Sequence, residues 1–182
     1  MKKTGFILSI IFLLITSFVS AQGKFYTKSG KITFFSSTSF EDIEAVNRSV
    51  SVVLDAKTGD LQFAVLIKGF QFKKALMQEH FNDRHMESDK YPQSTFKGKI
   101  TNNNDIGYDK NGTYTAKVKG MLTIHGETKE IETTGTVTVK DARIQTHSVF
   151  NISLADYKVT HTNKVSNSIK ITVDCPLEPL GQ

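Results

Sequence analysis

The run YTAKVKGMLTIHGETKEIETTGTVTV, residues 114–139, decides the class of fold. Tyr114, Ala116, Val118, Gly120, Leu122 and Ile124 occupy alternate positions, with Thr115, Lys117, Lys119 and Thr123 between them. A period of two is the side-chain alternation of a β-strand with one face buried. His125-Gly126 interrupts the pattern for two residues, after which Ile131, Thr133, Gly135, Val137 and Val139 resume it. A link this short, with Gly supplying positive φ, predicts a hairpin.

The same alternation extends in both directions. Downstream, Asp141-Ala142 leads into Ile144, Thr146, Ser148, Phe150, Ile152 and Leu154. A last strand carries Ile169, Ile171 and Val173 inward, and Pro176 and Pro179 are expected to end it, with Cys175 at its end. Upstream, Ile32 and Phe34 form one inward set, and Ile43, Ala45, Val50, Val52 and Leu54 another. Leu61, Phe63, Val65 and Ile67 form the next, and Gly69 marks a bulge or bend before Phe70 and Phe72. Roughly eight long strands result, mostly joined by short links, so the chain is all-β. Such a meander leaves raw edges unless it closes, and an eight-stranded antiparallel barrel removes them. A sandwich uses the same alternation. The length of the strands and their consistently apolar inner faces favour the barrel.

The pattern changes between Lys74 and Gly98. Leu76, Met77, His80 and Phe81 recur on one side of one short helix, and Met86 extends the apolar contacts. Pro92 then forces Tyr91 into an extended conformation and feeds a strand through Phe96. A lone amphipathic helix among strands must lay its apolar side on something, and an open barrel end is the obvious place.

Residues 1–21 read as a secretory signal peptide, leaving 22–182 as one domain. Lys2 and Lys3 form a basic start, Gly5 to Val19 is mostly apolar, and Val19-Ser20-Ala21 is a small-residue cleavage site. The apolar run is shorter than the roughly 20 residues of a membrane span, so no stable membrane anchor is expected after cleavage. The protein is expected to be periplasmic or secreted. Loss of Lys2 and Lys3 lowers the formal charge from +5 to +3. The remaining lysines alternate with apolar residues as a solvated strand face, so nucleic acid is not an expected partner. Cys175 is the lone cysteine. It cannot form an internal disulfide, and it is expected to be a small apolar residue, although a possible homodimer through it stays open.

Catalytic signatures are sparse. Glu79, His80, Asp83, His85, Glu87 and Asp89 are dense enough to suggest a secreted metal-dependent enzyme as an alternative. Yet His80 and His85 are five apart, not the i, i+4 of paired helical ligands, and no His-Glu-x-x-His run occurs. Gly-x-Ser-x-Gly and Gly-rich phosphate loops are absent as well. The expectation is a non-catalytic protein with no cofactor.

Several stretches resemble the YceI-like family of secreted bacterial lipid-binding proteins. His80-Phe81-Asn82-Asp83, Met86 to Pro92 and Thr95-Phe96-Lys97-Gly98 resemble its signature region, and Gly30 to Phe34 its opening strand. Gly120 to Lys129 resembles its paired-strand motif, and Phe150 with Leu154-Ala155-Asp156-Tyr157 its late strand. The chain departs from the family by its compactness and by Lys158-Val159 after Tyr157. The resemblance implies a lipocalin-like antiparallel barrel, a periplasmic or secreted location, and an apolar chain in the lumen. That chain is typically a polyisoprenoid, here extended to an isoprenoid quinone, or a fatty-acid derivative such as a fatty amide.

An isoprenoid offers few polar handles, so affinity must come from area removed from water. Each buried CH₂ contributes about 0.8 kcal/mol gross, and a five-carbon unit about 3–4 kcal/mol. Flat and flexible side chains line such a path well. The candidate ligand-binding residues are Phe34, Phe63, Phe70, Phe72, Met77, Phe81, Met86, Phe96, Tyr114, Phe150 and Leu154. His80 and Tyr91, with His85, Asp89 and Lys90, are candidates for meeting a polar headgroup at the mouth.

Overall fold

The computed structural model describes residues 23–160 and 165–180, and the expected leader, 1–21, lies outside the described residues. Alternation becomes a closed tube. The strands are β1 (Lys24–Ser37), β2 (Asp42–Asp55), β3 (Asp60–Leu66), β5 (Gln93–Ile100), β6 (Gly112–Ile124), β7 (Glu127–Lys140), β8 (Arg143–Ser153) and β9 (Ser168–Pro179), with a two-residue β4 (Gln71–Phe72) between β3 and β5. Each pairs antiparallel with its neighbour in the order β1-β2-β3-β5-β6-β7-β8-β9, and β9 returns to β1. The result is a closed eight-stranded antiparallel barrel, with β4 added at the upper end of β2 through Ala45–Phe72.

Turn chemistry fixes register. Ile124 pairs with Glu127, and His125 and Gly126 both have positive φ (51° and 79°), the signature of the hairpin turn that matches strand twist. Close approach explains a second pair of glycines. Gly98 faces Gly120 across β5 and β6, and a Cβ on either would lie within 2.7 Å of the Phe96 ring. The tip of the ring therefore covers two bare backbones from inside.

Two sequence expectations need correction. β9 does not stop at Pro176, which pairs with Gln145 and lies mid-strand. The β1–β9 register shifts between Tyr26 and Lys31, so Pro176 sits opposite a bulge where a missing N–H costs no ladder bond. Cys175 is likewise within the strand, not at its end, and it is fully buried, which leaves the folded chain no route to an intermolecular disulfide. At Gly69, the expected place of a bulge or bend, a short 3₁₀ turn, Ile67–Gly69, interrupts the strand, and β4 resumes along β2 with its register shifted by two residues. The turn is held by the buried Asn47, whose amide donates to the Leu66 carbonyl at 2.9 Å.

The lower end of the tube is sealed. Phe25 stacks on Tyr108 at 6.2 Å, Ile106 is buried beside them, and Tyr108 donates its hydroxyl proton to Asn103 Oδ1 at 2.8 Å. Asn103 in turn donates to the Ala56 carbonyl. Burial pushes the Tyr108 phenol up to about 12, so this contact stays neutral. Among the described residues no helix is long and apolar enough to cross a membrane.

Candidate functional site

The upper end is roofed by the segment between β4 and β5. It forms a six-residue helix, α1 (Ala75–His80), that widens into a π-helical turn, Phe81–His85, closed by Met86 N–H donating to the Phe81 carbonyl at 2.9 Å. Six residues are too few to hold a helix alone, so tertiary packing must hold it. Phe81 inserts among Phe34, Phe70 and Phe72, with ring centroids 5.0–5.7 Å away. Met86 enters a second buried cluster with Ile67, Ile152, Leu154, Tyr157, Val159 and Ile169. The expected helix is present. Its expected face is only partly buried, because Leu76 is 60% exposed.

Beneath this lid lies a cavity of about 980 Å³. Its wall is mainly aliphatic and aromatic, with polar residues at the mouth and on β1, β5, β7 and β8. Of the residues singled out in the sequence, Phe34, Phe63, Phe70, Phe72, Met77, His80, Phe81, Met86, Phe96, Phe150 and Leu154 border it. Tyr114 and Tyr91 do not. Tyr114 points inward but sits below the floor, its hydroxyl on the Lys110 carbonyl and its ring against Gly107 and Gly112. Tyr91 lies outside the rim, tilted against His125 at a centroid distance of 4.4 Å and packed against Gly126. Of the other mouth candidates, His85 borders the cavity. Asp89 pairs instead with Lys68 at 2.6 Å, and Lys90 lies over the Tyr91 ring.

Polar groups at the mouth secure the lid. His85 Nδ1 lies 2.8 Å from the Thr160 carbonyl, and His125 Nε2 lies 2.8 Å from Glu87 Oε2. Lys74 pairs with Glu41 of the β1–β2 loop. His85, Glu87 and Asp89 of the acidic and histidine cluster thus go to separate structural partners, and among the described residues no three of its members converge on one point. Tyr157 is buried behind the lid, and desolvation, with Asp156 adding to it, pushes its phenol up to about 12.

A family model described as the YceI-like domain matches residues 11–177. The chain belongs to the YceI-like family. The fold is likewise that of solved YceI-like structures. A polyisoprenoid-binding domain from Saccharophagus degradans, implicated in plant cell wall breakdown, superposes with a TM-score of 0.76 at 15% identity, over 87% of this chain and 99% of that one. BcnA of Burkholderia cenocepacia gives 0.66 at 19% identity, over 81% and 95%. The YCEI protein of Campylobacter jejuni gives 0.55 at 22%, over 70% and 78%. At these identities the likeness is one of fold. No curated protein matches the chain.

Several residues bordering the YceI-like lumen escaped the sequence reading. Arg84 lies at the mouth, and no carboxylate pairs with it among the described residues. Val159, Thr160 and Val165 come from the connection after β8, which has no periodicity to betray an inward side. Phe40, 70% exposed on the β1–β2 loop, borders the same mouth and follows no strand pattern.

Proposed function

We propose that the protein holds one long apolar lipid, a polyisoprenoid or an isoprenoid quinone, in the barrel lumen and carries or stores it without chemical change. The observation that supports this reading is the aliphatic and aromatic cavity of about 980 Å³ beneath a lid held by side-chain packing. That volume is at the upper end of ordinary ligand pockets, about 300–1,000 Å³. Three or four isoprenoid units would contribute about 9–16 kcal/mol gross, which offsets an association cost of about 4–15 kcal/mol. Membership of the YceI-like family and the described polyisoprenoid binding of the Saccharophagus domain, which has the same fold, support the ligand class.

The ligand-contacting set comprises the eleven sequence candidates that border the cavity. Residues 1–21 act as a cleaved leader, 22–182 form the working domain, and the mature protein works in the periplasm or outside the cell. Organic extraction and mass spectrometry of protein purified from its native host test the reading. A stoichiometric apolar chain is expected, and well-folded protein with an empty extract would overturn it.

A further inference from the structure

Besides Ser36, Ser94 and Thr95 near the upper ends of β1 and β5, polar side chains gather on facing positions of β7 and β8 towards the cavity floor. Thr133, Gly135, Thr146 and Ser148 all border the cavity there. Below them Val139 and Ile144 are buried outside it, so this level is where the lumen ends. Gly135 pairs with Ser148, and the β7–β8 ladder stops at that pair, although β8 stays paired with β9 up to Ser153. A Cβ on Gly135 would come within 2.5 Å of the His147 carbonyl, so position 135 must stay bare and the wall keeps a notch.

The hydroxyl protons at this notch are already committed. Ser148 Oγ donates to the Thr134 carbonyl at 3.1 Å, and Thr133 Oγ1 lies 3.2 Å from Ser148 Oγ. Thr146 Oγ1 donates to the Cys175 carbonyl at 3.2 Å. What the three oxygens have left is acceptor capacity. No cation joins them. The charged side chains bordering the cavity, Glu41, Lys74 and Arg84, belong to the lid and the β1–β2 loop at the opposite end. His147 reaches Asp174 on the outer face.

We infer that the notch formed by Thr133, Gly135, Thr146 and Ser148 is a head-group subsite for an uncharged hydrogen-bond donor, so that the lipid lies polar end down with its tail towards the lid. The class is a lipid alcohol, phenol (including a hydroquinone) or amide. A ketone-only ring cannot donate, so of the isoprenoid quinones only the reduced form fits this subsite, and a phosphate or carboxylate meets lone pairs with no counter-charge. This rests on the lumen reading and adds to it the chemistry and direction of the ligand.

Binding of four probes of matched chain length separates the two claims: geranylgeraniol, its methyl ether, the parent hydrocarbon and geranylgeranyl phosphate. The alcohol is expected to bind about tenfold more tightly than the ether, the increment of one well-made buried hydrogen bond. Ser148→Ala with Thr133→Val should bring the alcohol to the level of the ether, while the conservative Thr133→Ser keeps the preference and serves as the folding control. Equal affinity for alcohol and ether overturns the subsite, as does a preference that survives the double variant. Tightest binding of the phosphate, lost on Arg84→Gln, also overturns it and puts the head at the mouth. Failure of all four probes to bind folded protein removes the lumen reading itself.

Discussion

Cys175 sits with no exposure against Gly30, and burial pushes its thiol up to about 12. A thiol is reactive as the thiolate, so native protein should resist alkylating reagents at mildly alkaline pH and react once unfolded. Prompt labelling of folded protein in a mass-spectrometric time course would contradict this burial. Asp174, its neighbour on the outer face, behaves oppositely. Partial burial pulls its carboxyl up, but hydrogen bonds and charge from His147 (2.7 Å) and Lys31 (3.0 Å) outweigh that and hold it below the ordinary aspartate value. Its stabilisation is therefore present above the unfolded-state value, about 4, and is lost as pH falls through the lower folded-state one. Asp174→Asn should lower the denaturation midpoint near neutrality and leave it almost unchanged in strong acid. At this scale parity was legible: Phe63, Phe96 and Phe150 face the lumen as alternation requires. Depth was not legible, because a period of two assigns a face but no height, and Tyr114 therefore fell below the floor. Asn47 carried no local signal, since its role depends on a carbonyl 19 residues away.

Among the elements, two side chains carry the apolar anchoring of the lid, beside its polar ties at the mouth. Phe81 bridges it to three other phenylalanine rings, and Met86 ties its far end to the β8–β9 side. Phe81→Ala should cost about 2 kcal/mol, less than a fully buried ring because Phe81 is half-buried. Amide exchange should rise across residues 75–86 while β6 and β7 stay protected, and bound lipid should exchange faster. Uniform loss of protection over the barrel would show that the lid is not a separate unit. The helix was readable from the spacing of Met77, His80 and Phe81. The π-helical turn after it was not, because its i→i+5 bond between Phe81 and Met86 is stabilised by the two clusters those side chains enter rather than by local propensity.

Taken whole, the molecule is a wall one residue thick around space it does not fill. Val118 faces that space, half-buried, from the middle of β6. Val118→Trp should therefore enter the cavity without displacing backbone, leaving the melting midpoint of lipid-free protein within a few degrees and abolishing lipid in the extract. Collapse of the fold instead would mean that the interior has no spare room. Strand content was plain from alternation, but closure depends on β1 meeting β9, residues far apart in the chain. β1 is sealed on its second edge by β9. A nascent chain that has not yet released residues 168–179 cannot complete the ring, and it keeps both terminal edges raw until that stretch emerges. For the exported chain proposed above, that delay would leave it slack enough to be threaded unfolded, with the ring locking shut only after residues 168–179 have crossed.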